Sequence, residues 1–112
     1  MSSFKKLQKI EKEIRDAYGD FNRREGKKVW NLTDYTQGFV GDVGDLLKII
    51  RAGNLDNKKN EARLKHEIGD CLWSIIAISQ ELGIDPEKEF LINAEYLKQK
   101  LFEKIKEKKK GK

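Results

Sequence analysis

"EIGDCLWSIIAISQELGID", residues 67–85, decides how this chain folds. From Cys71 to Ile78 apolar side chains point to most sides of a helix rather than alternating as in a strand. Gly83 stands where a helix ends on a left-handed residue, and Asp85 followed by Pro86 is the opening of another helix. A helix that is apolar around most of its circumference must be buried on more than one side. A lone four-helix bundle covers one face of each helix. The stretch therefore predicts a second subunit on the other side, at least a homodimer.

Working outward, Phe4, Leu7, Ile10, Ile14, Ala17, Tyr18 and Phe21 recur every three or four residues. They predict a first helix, opened by Ser2 or Ser3 and broken at Gly26. A second is expected from Thr33 or Asp34 through Phe39, Val40, Val43, Leu47 and Ile50 to a stop at Gly53. After the polar loop "NLDNKKN", the third runs from about Asn60 to Leu82 along Leu64, Ile68, Leu72, Ile75, Ile76 and Ser79. The fourth is capped by Asp85, starts at Pro86 and is expected to bury Phe90, Ala94, Leu97, Leu101 and Ile105 before ending in lysines. There is no period-2 segment and no solenoid repeat. The expectation is an all-α four-helix bundle, a single domain over 1–112 with a lysine-rich tail at about 104–112.

Composition narrows the function classes. The chain has 112 residues, 38% of them charged, with a formal net charge of +5. Much of that excess lies in "KIKEKKKGK", and elsewhere acids and bases are interspersed, so no nucleic-acid-binding face is expected. One cysteine, Cys71, excludes an internal disulfide and a multi-cysteine zinc site. The opening "MSSFKKLQKIEKEI" has no apolar core of a secretory signal, and the longest apolar run is too short to cross a bilayer. A cytoplasmic protein with no membrane partner is expected.

The chemistry-bearing residues are two carboxylate pairs. In "GFVGDVGDLLK", residues 38–48, Asp42 and Asp45 share a helix face with Gly38, roughly opposite Val40, Val43, Leu47 and Ile50. The third helix repeats the spacing with Glu67 and Asp70. Like charges three apart cost a helix ~0.2–0.5 kcal/mol, and an interior glycine costs about 1 kcal/mol. Two readings stay open on the residues alone. Such pairs are solvated surface, as Glu13 and Asp16 are expected to be. Otherwise the four carboxylates converge between packed helices as an oxygen-only site for Mg²⁺, with Mn²⁺ as a substitute.

The segments "GDVGDLLKII" and "KHEIGDCLWSIIAISQELGID" resemble the MazG-like nucleotide pyrophosphohydrolases of the all-α NTP pyrophosphatase superfamily, whose acids are spaced E-x-x-E and then E-x-x-D. The resemblance covers residues 28 to 101. It implies a homodimer, or a tetramer of two dimers, that hydrolyses a nucleoside triphosphate (NTP or dNTP) to the monophosphate and pyrophosphate, a nucleotide-pool house-cleaning role. Asp42, Asp45, Glu67 and Asp70 would then be the catalytic, Mg²⁺-holding residues. Asn93 matches a family asparagine, while Tyr96 and Lys100 stand where the family often has lysine and arginine. Asn93 and Lys98 are the implied phosphate-side contacts. Both acids of the first pair are aspartate where the family usually has glutamate, and Gly41 stands where a further acid is frequent. These departures keep a second reading open, a non-catalytic MazG-like oligomer acting as a binding or regulatory module.

Other residues divide similarly. Trp30 is open to base stacking as well as core packing, and Trp73 is expected in the bundle or subunit core. His66 is expected at the surface beside Glu67, and Cys71 as a small buried hydrophobe. Gly38 is expected to leave room for metal or phosphate, and Gly41 and Gly44 to permit close helix approach.

Overall fold

The computed structural model describes residues 3–111 and is all-helical over them, with no strand. The helices are α1 (Ser3–Arg24), α2 (Leu32–Ala52), α3 (Lys58–Glu81) and α4 (Pro86–Lys110). Boundaries follow local chemistry. The Asn31 side chain accepts from the Asp34 N–H while Asp34 accepts from the Asn31 N–H, a reciprocal cap that starts α2 one or two residues earlier than the apolar spacing indicates. Asn57 caps α3 in the same spirit, accepting from Lys59 and Asn60, so α3 also begins before Asn60. At the other end of α3, Gly83 has φ +67°, donates to the Gln80 carbonyl, and hands on to an Ile84 N–H bonded to Ser79. That paired closure needs the left-handed residue that Gly83 supplies. Asp85 caps α4, with Pro86 in its first turn. Of the two residues expected to open α1, Ser3 begins it and Ser2 lies outside the described residues.

Two pairings organise the helices: α2 packs on α3, and α1 packs on α3. Tyr35 meets Trp73, while Asp42, two turns further along α2, meets Glu67 and Asp70 earlier in α3, so α2 and α3 run antiparallel. Among the described residues, Tyr35, Ile49, Ile76 and Ala77 are the buried hydrophobic ones. This overturns one expectation about α2. Its inward face carries Tyr35, Asp42, Leu46 and Ile49, while Val40, Val43, Leu47 and Ile50 are exposed. Asp42 thus lies on the packed face, and the main apolar stripe looks outward. On α3, Ile68, Leu72 and Ile75 are exposed as well.

The α1–α3 contact is polar. Glu11, 1% exposed, accepts from Arg15 at 3.0 Å and from Gln80; Arg15 also reaches Glu81, and Gln80 donates to the Gln8 carbonyl. Meanwhile Leu7, Ile10, Ile14, Tyr18 and Phe21, the predicted core stripe of α1, are exposed.

The fourth helix departs furthest from expectation. It forms as predicted but buries nothing: Phe90 is 71% exposed, Leu97 55% and Leu101 56%, and no residue of α4 is buried. It is also longer than expected, staying helical through the lysines to Lys110. Nor does it pack substantially on another helix. The radius of gyration is 18.9 Å, against about 13 Å for a compact chain of this length. Surface area tells the same story, 9125 Å² where a compact monomer of this mass exposes about 6,300 Å².

Candidate functional site

The α2–α3 hairpin brings both acidic segments to one place. Asp42 on α2 and Glu67 and Asp70 on α3 each offer a carboxylate oxygen, and these atoms lie within 4.8 Å of one another. All three residues are half-buried. Asp45 is exposed, one turn further along α2, yet its charge is felt at Glu67. Burial first, and then the negative charges of Asp45, Asp42 and Asp70, push the Glu67 carboxyl above the usual carboxylate range. Glu67 Oε2 is closed off from solvent and accepts no hydrogen bond. A buried carboxylate oxygen left without a donor is costly, and here it sits among like charges. Those are the conditions a cation relieves.

The donor set is oxygen only and fits a hard divalent ion such as Mg²⁺ or Mn²⁺ rather than zinc. A ligand bond of 2.0–2.1 Å holds oxygens on one ion about 3–4 Å apart, so the 4.8 Å cluster needs only small side-chain adjustment. Partners around the cluster are few. Ser74, buried on α3, donates to Asp42 Oδ2 at 3.4 Å, and His66 Nε2 lies 3.1 Å from Asp70 Oδ2. His66 is at the surface, as expected. Cys71 is half-buried next to the acids, and burial, then Asp42, Glu67 and Asp70, push its thiol up, away from nucleophilic chemistry.

Beyond the acids along the same hairpin lies a cavity of about 360 Å³ lined by Tyr18, Gly19, Asn22, Trp30, Tyr35 and Trp73. Trp30 meets Tyr35 edge-on at 5.5 Å, and Tyr35 meets Trp73 at 6.1 Å. Trp73 Nε1 is a buried donor without an acceptor. The cavity explains Gly38 differently from expectation. A Cβ there would come 3.2 Å from Trp30 Cζ3, so the missing side chain makes room for the indole rather than for phosphate. A Cβ on Gly41 or Gly44 would meet nothing within 4 Å, so neither is needed for helix approach inside one chain. Trp30 was legible as a base-stacking candidate; Tyr35 and Asn22 were not, because only the fold brings α1 and the start of α2 against Trp73.

Asn93 and Lys98, by contrast, are exposed on α4, which does not pack substantially on the α2–α3 hairpin that carries the acids. Among the described residues, no helix is long and apolar enough to cross a membrane. Comparison with known proteins finds no matching family model, no matching curated protein and no matching solved structure.

Proposed function

We propose that this chain is a Mg²⁺-dependent, MazG-like nucleoside triphosphate pyrophosphohydrolase. The observation that carries the reading is the convergence of Asp42, Glu67 and Asp70, with the closed-off, partnerless Glu67 Oε2 among them. Unaided, the cluster would repel a triphosphate. A bound divalent cation would neutralise phosphate charge and lower the pKa of a bound water. Asp42, Glu67 and Asp70 would hold the ion, and the exposed Asp45, outside that set, adds its negative charge nearby. The aromatic cavity offers Trp30, Tyr35 and Trp73 as a platform for a nucleobase, a flat group that stacks on such rings. Measuring pyrophosphate release from a panel of NTPs and dNTPs, with metal varied, tests this. Turnover of at least one nucleotide that is lost in chelator is expected. Metal binding without turnover of any nucleotide would favour the non-catalytic module.

The same reading includes homo-oligomerisation. The surface in excess of a compact monomer is about 2,800 Å² by the comparison above, more than three times the ~800 Å² each partner contributes to a standard interface. The outward stripes of α1, α2 and α3 and the apolar side of α4 are the surfaces that a second copy covers. In that assembly Asn93 and Lys98 reach the phosphates from a neighbouring copy's α4. Light scattering is expected to give a dimer or tetramer, and the double substitution Leu97→Asp with Leu101→Asp to shift the mass to that of one chain. An unshifted mass would place the interface elsewhere.

A further inference from the structure

We propose that Ser74 is a positioning residue for this cation site: its hydroxyl reaches across from α3 to orient the Asp42 carboxylate of α2 while Asp42 keeps an oxygen turned to Glu67 and Asp70. The proposal rests on the cation reading of the cluster and adds to it a residue that no ligand pattern marks.

A serine or threonine hydroxyl within a helix ordinarily donates to the carbonyl one turn back. Two others in this chain do so, Ser79 to Ile75 at 2.7 Å and Thr36 to Leu32 at 2.8 Å. Ser74 has the same choice in the Asp70 carbonyl and donates instead to Asp42 Oδ2, 3.4 Å away on the neighbouring helix. Among the described residues it is one of two buried polar or charged side chains, the other being Glu11 in its ion-pair network. A buried hydroxyl is worse than an apolar side chain unless it has a task, since stranding it costs ~1–3 kcal/mol.

The task follows from Asp42's surroundings. Its carboxylate faces two others, and mutual repulsion would swing it away from them. A neutral donor on one oxygen fixes the rotamer without adding a charge that competes with the cation. The need is sharper because aspartate is a methylene shorter than glutamate and has less reach to correct a misplaced oxygen. Donors behind metal-ligating carboxylates typically contribute 10–100-fold to metal affinity.

The test is calorimetric titration of Mn²⁺ into the full chain, its Ser74→Ala variant, and a Ser79→Ala control, with melting temperatures recorded in chelator. Ser74→Ala is expected to weaken Mn²⁺ binding about tenfold or more and to change the metal-free melting temperature little. Ser79→Ala should bind as the unsubstituted chain does. Ser74→Cys, nearly isosteric with a weaker donor, repeats the measurement should the alanine variant fold poorly. A purely structural role would lower the melting temperature and leave the affinity alone. Equal Mn²⁺ affinity with and without the hydroxyl overturns the role of Ser74 and leaves the cation site standing. Absence of Mn²⁺ binding by the unsubstituted chain overturns both.

Discussion

Glu67→Gln should abolish pyrophosphate release and Mn²⁺ binding while making the metal-free protein more resistant to heat. The two effects have one cause. Glu67 is held among Asp42, Asp45 and Asp70, partly desolvated, with one oxygen lacking any donor. Its carboxyl is therefore harder to ionise in the folded chain than in the unfolded one. For an acid raised in this way, the folded state holds its proton longer. Folding is then favoured below the folded pKa, and that stability is lost as pH climbs from the ordinary value of 4.5 through the raised one. At neutral pH the unsubstituted protein carries the strain in full, and glutamine removes it at nearly constant shape. A charge-stabilising group that acts on the reacting phosphates is worth ~10²–10³ in rate when removed, and loss of a metal ligand should cost at least that. Thermal melts in chelator and in Mn²⁺, read beside the pyrophosphate assay, check it. The unsubstituted protein should gain stability from Mn²⁺ by mass action, and the variant should not. A variant melting lower than the parent in chelator would mean that the acids are not repelling one another.

Arg15→Ala is expected to be the most destabilising single truncation outside the apolar core. Glu11 is fully buried against α3 with Arg15 as its charged partner, and Arg15 in turn binds Glu81 on the far helix. Removing one member of a buried pair leaves an uncompensated charge and costs ~3–5 kcal/mol. Gln80 still donates to Glu11, so the lower end, about 3 kcal/mol, is expected. That is a large share of the 5–15 kcal/mol a domain commands. The double substitution Glu11→Met with Arg15→Leu should recover most of the loss, because replacing a buried pair by apolar groups is often neutral. Urea denaturation of the two variants and the parent separates the cases. A loss below about 1 kcal/mol for Arg15→Ala would show that α1 is held by other contacts.

Much of this protein can be read without coordinates. Four helices, the Asp85–Pro86 opening, the Gly83 stop and the i,i+3 acid pairs follow from capping chemistry and a 3.6-residue period, which are local properties of the chain. Where the boundaries slipped, at Asn31 and Asn57, a capping asparagine overrode the start of the apolar pattern. Helical periodicity assigns residues to faces, and so the acids were known to share one.

It does not say which face meets which neighbour, and that is what the tertiary structure decided. Helix α2 has two candidate inward faces, and the one carrying Asp42 with Tyr35, Leu46 and Ile49 packs on α3, leaving Val40, Val43, Leu47 and Ile50 outside. Only that choice brings Asp42 to Glu67 and Asp70. Glu11, one polar residue among many on a charged helix, is buried because Gln80 meets it across a non-local contact while Arg15 pairs with it from the next turn of α1. Trp30 fills the gap at Gly38 for the same kind of reason. The sequence by itself determined the helices and the chemistry each carries, since both arise within a few residues of one another. The site arose only when packing chose between competing faces, a comparison of burial energies across segments far apart in the chain.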